Sequence, residues 1–276
     1  MKILLLIIHY NNIKSTLDTL SSIRNLNRVP EIHLIDNAPN DFDTLDHDKI
    51  KGILTERFKI INHDKNYGYF GAVAKHLSNI KHTSYDWIFI SNNDMIYHDK
   101  YLFDYVDTAK KMWNNRIGVY CPAIVTKSMG INQNPYLKKC PNKFFYYKLK
   151  LLLSNYIAAN FYEKLAAKLS YYFKAKYTQT NDNNCLKQIF APHGSFLGIS
   201  KEFFTMGGYI EYQNFLYFEE EILGLICSKI GLKVIYDPRV SVMHCEHQTT
   251  GKKYSKSKHQ IRKKSFQTFK RYYLER

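Results

Sequence analysis

Short apolar runs alternate with amphipathic stretches along the first third of the chain. Runs of strand length occupy 3–8, 31–35, 58–62 and 87–91, and apolar residues at helical spacing occupy 15–23 and 71–80. The run 87–90 is apolar at every position, which is typical of a strand covered by helices on both faces. This alternation predicts an α/β fold with a mostly parallel central sheet flanked by helices.

The alternation stops in the middle of the chain. Residues 138–176 are rich in aromatic residues, leucine and lysine. At 3.6 residues per turn, one side of a helix here holds Phe161, Leu165, Leu169 and Tyr172, with Lys164, Lys168 and Lys174 spread around the flank. The pattern predicts an amphipathic helix with a basic rim, as in membrane-surface helices. A helix that packs on the core and presents its lysines to solvent is the competing interpretation.

Strand-like runs return in the last third of the chain. We predict a strand over 118–124, strand structure over 188–200, 229–236 and 240–244, and a helix over 216–228. The last 25 residues have helical periodicity and no evident partner. The pattern predicts one domain over 1–276, divided into 1–125, a helical insertion over 138–180, a second half over 186–250 and a basic tail over 251–276.

Composition narrows the class of protein. With 276 residues, 45% of them hydrophobic and 23% charged, the chain is expected to be globular. The first apolar run is six residues long, too short for a signal peptide or a membrane span. The five cysteines are scattered without C-x-x-C spacing, which argues against a disulfide framework or a zinc site. We therefore expect a cytoplasmic protein.

The net charge of +16 is unevenly distributed. Residues 138–176 hold nine lysines against Glu163, and residues 251–276 hold ten Lys or Arg against Glu275. Such blocks favour an anionic partner surface, either phospholipid or nucleic acid. No known nucleic-acid-binding module is legible, so we expect a membrane surface and no nucleic acid. A solvated basic face is the alternative interpretation.

Polar residues come directly after two of the predicted strands. Asn92, Asn93 and Asp94 follow the run 87–91, and Asp36 follows the second strand. In open α/β sheets, ligands bind beyond the carboxyl ends of the strands, where a carboxylate can hold a divalent cation and a phosphate-bearing ligand. A simple Asn/Asp turn is the alternative. The sequence lacks both G-x-G-x-x-G and the P-loop motif, which disfavours a dinucleotide-dependent oxidoreductase or a P-loop enzyme.

Three further segments carry candidate chemistry. The glycines of 66–71 let the backbone approach a ligand at a helix N-terminus, which favours an anion. Glu219, Glu220 and Glu221 begin a predicted helix after an apolar run, a setting that suits a general base, although helix capping also explains them. His244 ends a predicted strand, and its imidazole could complete a metal site with Asp94.

Together these segments resemble glycosyltransferase family 2, the inverting type with a GT-A (Rossmann-like) fold, and within it the bacterial rhamnosyltransferase-like branch. The similarity runs over residues 3–250. It rests on His9-Tyr10-Asn11, Asp36-Asn37, Asn66 to Gly71, Asn92-Asn93-Asp94, His193-Gly194-Ser195, Glu219-Glu220 and His244.

The resemblance implies a role for each motif. Asp36 and Asn66 would contact the nucleoside of a sugar nucleotide, Asp94 and His244 would hold Mg²⁺ or Mn²⁺, and Glu220 would be the base, with Glu219 as its rival. The rest of the donor site would be His9, Tyr10, Asn11, Asn37, Gly68, Gly71, Asn92 and Asn93, and the acceptor would meet His193, Gly194 and Ser195. Two positions depart from the family pattern: Asn92 replaces an acid of the metal motif, and the base is Glu rather than Asp.

The implied activity is transfer of a hexosyl or deoxyhexosyl group, with inversion, from a nucleotide sugar to a hydroxyl of a glycan or lipid-linked oligosaccharide. Such an enzyme would serve bacterial surface polysaccharide synthesis, as a peripheral protein on the inner face of the plasma membrane. A catalytically silent scaffold of the same fold is one alternative, which Asn92 keeps open. A basic protein that binds nucleic acid or membrane is the other.

Overall fold

The computed structural model describes residues 1–37, 50, 57–114, 116–177, 185–210, 212–213, 215–246 and 254–275, with side chains described up to residue 166 in the helix that ends at residue 177. The strands are β1 (Ile3–His9), β2 (Glu31–Asp36), β3 (Phe58–Asn62), β4 (Trp87–Asn92), β5 (Met95–Ile96), β6 (Ile117–Thr126), β7 (Lys187–Ile189), β8 (Phe196–Ser200) and β9 (Lys233–His244). The α-helices are α1 (Ile13–Ile23), α2 (Tyr69–Leu77), α3 (Asp104–Met112), α4 (Lys143–Ser154), α5 (Tyr156–Tyr177), α6 (Lys201–Thr205), α7 (Glu219–Lys229) and α8 (Lys256–Leu274).

The described strands form a single mixed sheet. Its order is β3-β2-β1-β4-β8-β6-β9-β5, and β7 pairs with β9. Following the pairings from strand to strand, β1, β2, β3, β4, β6 and β9 run in one direction, and β5, β7 and β8 run in the other. The prediction of an α/β fold with a mostly parallel central sheet is confirmed.

The central strands are buried on both faces because their side chains alternate between two apolar layers. In β1, Leu4 and Leu6 enter one cluster, together with residues of α2, α7 and α8. Leu5 and Ile7 enter the cluster on the opposite face, with residues of α1 and α3. Each is 0% exposed, which explains why these strands read as unbroken apolar runs.

The predicted strands over 229–236 and 240–244 are one continuous strand, so the predicted break between them is wrong. β9 runs from Lys233 to His244, and its register against β6 shifts between Pro122 and Ala123. The irregularity falls where Pro238 cannot donate to the ladder. The Asp237 carboxylate accepts hydrogen bonds from the Arg239 guanidinium at 2.7 and 2.8 Å and from the backbone amide of Arg239 at 3.1 Å.

The C-terminal helix has a partner in the core, contrary to expectation. Phe266, Phe269 and Tyr273 of α8 are buried at helical spacing. Tyr273 stacks on Tyr146 of α4 with ring centroids 5.1 Å apart, and Phe269 stacks on Phe218 at the same distance. The segment expected to be a tail therefore braces the helical insertion α4–α5 against the sheet. No helix in the described part of the chain is both long and apolar enough to span a bilayer.

Candidate active site

Three neighbouring strands end together at one edge of the sheet. β1 lies between β2 and β4, and its register pairs His9 with Asp36 and Ile8 with Asn92. The polar residues that follow these strands are therefore brought side by side. Asp36 and Asn92 are both partly exposed at this edge, where a ligand can reach them.

The chain turns sharply after β1. Asn11 and Asn12 have φ of 55° and 58°, a left-handed conformation that asparagine tolerates better than most residues. Asn12 caps α1, because its side chain accepts from the amide of Ser15 at 3.1 Å. The side-chain oxygen of Asn11 is buried without a hydrogen-bond partner in the described part of the structure, which marks it as a group available to a ligand.

Asp94 and His244 form a close pair beside this edge. The short strand β5 pairs Met95 with His244 of β9, which brings the two side chains together. The Asp94 Oδ1 atom lies 3.3 Å from His244 Nε2, and Asp94 is 4% exposed. Among the described residues that oxygen has no hydrogen-bond partner. A buried carboxylate oxygen without a donor is suited to a cation.

The second nitrogen of His244 strengthens this interpretation. His244 Nδ1 lies 2.7 Å from Gln133 Oε1, which can only accept, so Nδ1 carries the proton. Nε2, the ring nitrogen that faces Asp94, is then the one that a cation bound to Asp94 would take as its second ligand. The described residues hold no group of three or more His, Cys, Asp or Glu arranged for a metal. A cation held by these two side chains alone would take its other ligands from substrate and water oxygens.

The three glutamates at the start of α7 have different surroundings. The Glu220 Oε1 atom accepts from the backbone amide of Gly194 at 3.1 Å. A Cβ atom on residue 194 would lie 2.5 Å from that oxygen, so the approach requires glycine. Glu220 is partly exposed, whereas Glu219 and Glu221 are 7% and 3% exposed. Among the three, Glu220 is the carboxylate that a substrate can reach.

The segment after Gly194 connects Glu220 to the Asp94–His244 pair. The imidazoles of His193 and His244 are edge to face with centroids 5.9 Å apart. His193 Nδ1 lies 2.9 Å from Ser195 Oγ, and the His193 amide donates to Asn134 Oδ1 at 2.7 Å. The predicted acceptor segment thus lies between the predicted base and the predicted metal ligands.

Glu221 faces away from this segment. Its Oε1 atom accepts from the Tyr136 hydroxyl at 3.2 Å, and its Oε2 atom has no hydrogen-bond partner among the described residues. It lines a cavity of about 140 Å³ that also has walls from α4, α5 and α8. Glu219 instead contacts a small space beside Phe70 and Tyr212.

Burial sets the protonation of all three glutamates. Loss of water raises the pKa of Glu220, although the amide of Gly194 lowers it in part. Burial and the charge of Glu220 raise the pKa of Glu221 to about 8 and hold the pKa of Glu219 well above its ordinary value. A carboxylate with a raised pKa is a stronger base near neutral pH, as general-base catalysis requires.

Asn37 fixes the loop that was expected to bind the donor. Its side chain is 2% exposed, donates to Asn66 Oδ1 at 3.0 Å and to the carbonyl of Gly68 at 3.1 Å, and accepts from the amide of Tyr67 at 3.1 Å. Asn37 therefore holds the conformation of this loop from its buried side. Asn66 is partly exposed and stays at the edge.

Gly68 serves packing in the structure, whereas Gly71 lies in α2, where a side chain would make only an ordinary contact. Gly68 has φ of 76°, and a Cβ atom there would lie 1.9 Å from the carbonyl oxygen of Phe215. A Cβ atom on Gly71 would meet Tyr67 at 3.4 Å. The close approach we expected between this backbone and a ligand is made, at Gly68, with another segment of the chain.

His9 and Asn93 lie behind the edge. The Asn93 amide donates to the carbonyl of Asn11 at 3.0 Å and to Thr16 Oγ1 at 2.9 Å. Thr19 Oγ1 donates to the Asn93 carbonyl at 2.8 Å, and His9 Nδ1 lies 2.7 Å from Thr16 Oγ1. With exposures of 0% for His9 and 4% for Asn93, both side chains fasten β1 and the turn after β4 to α1.

Tyr69 is a candidate that the sequence analysis missed. Its hydroxyl is buried without a hydrogen-bond partner in the described residues. Burial, with the nearby groups Tyr97, Glu220 and Asp94, holds the pKa of Tyr69 well above its ordinary value. Tyr69 follows Gly68 directly, so it belongs to the same motif, from which only Asn66 and the two glycines were predicted to bind the donor. Gln133 and Tyr136 were missed because no pattern marks their segment.

The sequence matches the family model described as "Glycosyl transferase family 2" over residues 5–205. That match covers most of the chain, including the strand-end edge and the segment around Gly194. No curated protein matches the sequence significantly.

Solved structures share the fold at low sequence identity. A structure of GalNAc-T7 with UDP, GalNAc and Mn²⁺ matches with a TM-score of 0.60 and 13% identity, covering 92% of this chain and 45% of that one. A structure of S. aureus TarS residues 1–349 matches with a TM-score of 0.54 and 11% identity, covering 89% of this chain and 60% of that one. The chain thus spans about half the length of these proteins.

Proposed function

The chain belongs to glycosyl transferase family 2, and from that premise we propose that it transfers a hexosyl or deoxyhexosyl group from a nucleotide sugar to an acceptor hydroxyl with inversion. The observation that carries the proposal is the position of Glu220. Its carboxylate is partly exposed, bonded to Gly194 at 3.1 Å, and joined through His193 to the Asp94–His244 pair. A proposed base and a candidate cation site are therefore linked through the segment His193–Gly194.

The proposed reaction is a single displacement. The Glu220 carboxylate takes the proton of the acceptor hydroxyl, and the hydroxyl oxygen forms a bond to the anomeric carbon. The bond from that carbon to the diphosphate oxygen breaks, and its electrons leave with the nucleoside diphosphate. Because attack comes from the face opposite the leaving group, the anomeric configuration inverts. The raised pKa of Glu220 supports its role as base.

We assign the cation site to Asp94 and His244. A divalent cation held there, Mg²⁺ or Mn²⁺, supplies neutralisation of charge on the leaving diphosphate. Among the described residues the Asp94 Oδ1 atom accepts no hydrogen bond, and it lies 3.3 Å from His244 Nε2; both observations support this assignment. The GalNAc-T7 structure contains UDP and Mn²⁺, which agrees with it. Asn92 supplies no charge here, so we expect cation binding to depend on the diphosphate.

The donor side of the proposed site consists of the partly exposed polar residues along the edge. Asp36 and Asn66 are assigned to the nucleoside, with Tyr10, Asn11 and Asn92 beside them. A strand-end carboxylate accepts hydrogen bonds from ribose hydroxyls, as in other nucleotide sites at sheet edges. The buried residues His9, Asn37 and Asn93 hold these groups in place.

The acceptor is proposed to be a glycan or lipid-linked oligosaccharide of bacterial surface polysaccharide synthesis, held by His193, Gly194 and Ser195. In this scheme residues 1–125 bind the donor and residues 186–250 supply the acceptor site and the base. We propose that the protein works on the cytoplasmic side, at the inner face of the plasma membrane.

A ligand screen followed by a product assay tests the function. We expect one class among UDP-, GDP- and dTDP-sugars to raise the melting temperature, more strongly with Mn²⁺ than without it, and the same donor to release its nucleoside diphosphate. The Asp94→Asn variant should lose the Mn²⁺-dependent part of the shift. A donor that binds but is never turned over with any glycan acceptor would instead indicate a catalytically silent scaffold.

A further inference from the structure

The outward side of α4 and α5 carries large apolar side chains in contact with solvent. Each is between 46 and 77% exposed: Phe144, Tyr147, Leu151, Ile157, Phe161 and Leu165. The spacing is i, i+3, i+7 in α4 and i, i+4, i+8 in α5, so each set occupies one side of its helix. These six residues are called the outer face below.

Helix α4 is apolar on two opposite sides. Tyr146, Leu149 and Leu153 are buried against the core. At about 100° per residue, their mean direction lies roughly 160° from that of the α4 residues in the outer face. A helix with two apolar sides is normally covered on both. The inner side of α4 is covered by the protein, and the outer side is exposed.

Positive charge surrounds the outer face. Within residues 138–166 the described lysines are Lys138, Lys139, Lys143, Lys148, Lys150 and Lys164. The acid in this range, Glu163, bonds Arg262 at 2.5 Å. Around α4, Lys143 and Lys150 flank the apolar side on one edge. Lys148 instead donates to the Tyr162 hydroxyl at 2.5 Å and is not counted among the flanking lysines. Two copies joined through this face would bring these lysines together, whereas anionic headgroups would complement them.

We propose that the outer face inserts into the headgroup region of an anionic phospholipid membrane, with the flanking lysines on the lipid phosphates. The inner side of the same helices lines the cavity that contains Glu221, the residue after Glu220. Membrane contact would therefore hold the proposed base close to the bilayer. This last point rests on the proposed function, because it assumes a lipid-linked acceptor, whereas the membrane contact itself does not.

Vesicle co-sedimentation tests the contact directly. The chain is mixed with vesicles of phosphatidylcholine alone, or of phosphatidylcholine with phosphatidylglycerol, at low and high salt. The test variant is Leu151→Ser with Ile157→Ser and Phe161→Ser. The control is Met112→Ser with Met129→Ser and Leu274→Ser, which replaces exposed apolar residues elsewhere on the fold. Matching melting temperatures establish that all three proteins are folded.

We expect the wild-type chain and the control to pellet with the anionic vesicles, and partitioning of the test variant to fall at least tenfold. High salt should weaken wild-type binding without abolishing it, because apolar insertion remains. The proposal is overturned if the wild type ignores anionic vesicles, if the test variant binds as well as the control, or if the outer face instead mediates a dimer that the test variant dissociates. Donor turnover in solution, measured in parallel, should be the same in all three proteins, so loss of vesicle binding is distinguishable from loss of transfer.

Discussion

The sheet edge and the outer face of α4–α5 depart from ordinary protein structure in opposite ways. At the sheet edge and at the start of α7, carboxylates lie where they lose water: Asp94, Glu219 and Glu221 are at most 7% exposed. On the outer face, Leu151 and Ile157 are more than 70% exposed. Burying a carboxylate and exposing a large apolar side chain both oppose the transfer free energy of the group. Neither arrangement is explained by folding, so each indicates a partner outside the chain.

The two regions also differ in how firmly they are held. The sheet edge is fastened by hydrogen bonds from Asn37 and Asn93 and by Gln133 behind His244. None of the six outer-face side chains belongs to the described core cluster. The helices that carry them are nevertheless braced by α8. A catalytic site needs groups fixed in position, whereas a membrane-contacting surface needs only to be displayed.

The largest expected effect is on Glu220. Glu220→Gln keeps the hydrogen bond from Gly194 but removes the base, so we expect turnover to fall by about 10²–10⁴-fold with donor binding retained. Glu219→Gln is the matched control and should keep most of its turnover. Initial rates of nucleoside diphosphate release and a donor thermal shift measure both properties. A dead Glu219→Gln beside an active Glu220→Gln would place the base one residue earlier.

Substitutions at two leucines of α4 should distinguish its buried side from its exposed side. Leu149 is buried in the core cluster, so Leu149→Ala should lower the free energy of unfolding by about 2–5 kcal/mol. Leu151→Ala, two residues away on the exposed side, should change it by less than about 0.5 kcal/mol. Urea denaturation of the two variants measures the difference. Comparable losses would show that the outer face is covered by the protein itself in solution.

Glu221 should make stability depend on pH. Its pKa is about 8 in the folded chain against 4.5 for the free side chain, so the folded state holds the proton through this window. Stability should therefore fall as the pH rises from about 5 to 8, by the linkage between protonation and folding. Melting temperatures of Glu221→Gln should decline less over this range. Glu275→Gln, at an exposed carboxylate, should follow the wild type.

A smaller effect is expected at Tyr69. Its hydroxyl is buried near Glu220 and Asp94 and has no hydrogen-bond partner among the described residues, so we expect it to be available to a substrate oxygen. Removing one hydrogen bond to a bound substrate costs about 0.5–1.5 kcal/mol, so Tyr69→Phe should lower kcat/KM by roughly two- to tenfold with the fold unchanged. Steady-state kinetics with the preferred donor measures this. An unchanged kcat/KM would leave Tyr69 with a packing role.

The sequence was sufficient for the long elements and for the position of the edge. β1 and β4 are apolar up to their last one or two residues because both faces are buried, so the apolar runs located them and the polar residues at their ends. β5 was missed because two residues carry no periodicity. β7 and β8 were predicted as one stretch over 188–200, because the three residues of β7 do not mark a separate strand. The partner of α8 was missed because the residues it packs on, Tyr146 and Phe218, are distant in the sequence.

Site residues were harder to predict than site segments. A motif shows which residues lie near one another. It does not distinguish the side chains that face a bound ligand from the side chains that hold the site in shape. Asn37 and Asn93 belong to the second group because the side-chain NH₂ group of each donates two hydrogen bonds to other segments. The choice among three successive glutamates depended on Gly194, whose missing side chain makes room for Glu220.

The most direct test of the proposed chemistry follows the anomeric carbon of the donor. Without an acceptor, water can take the place of the hydroxyl, and proton NMR records the configuration of the first sugar released, before it equilibrates. The single displacement predicts the configuration opposite to that of the donor, formed by the wild type and at least a hundredfold more slowly by Glu220→Gln. Release with the donor's own configuration, or equal rates in the two proteins, would contradict the assignment of Glu220 as the base of an inverting transfer.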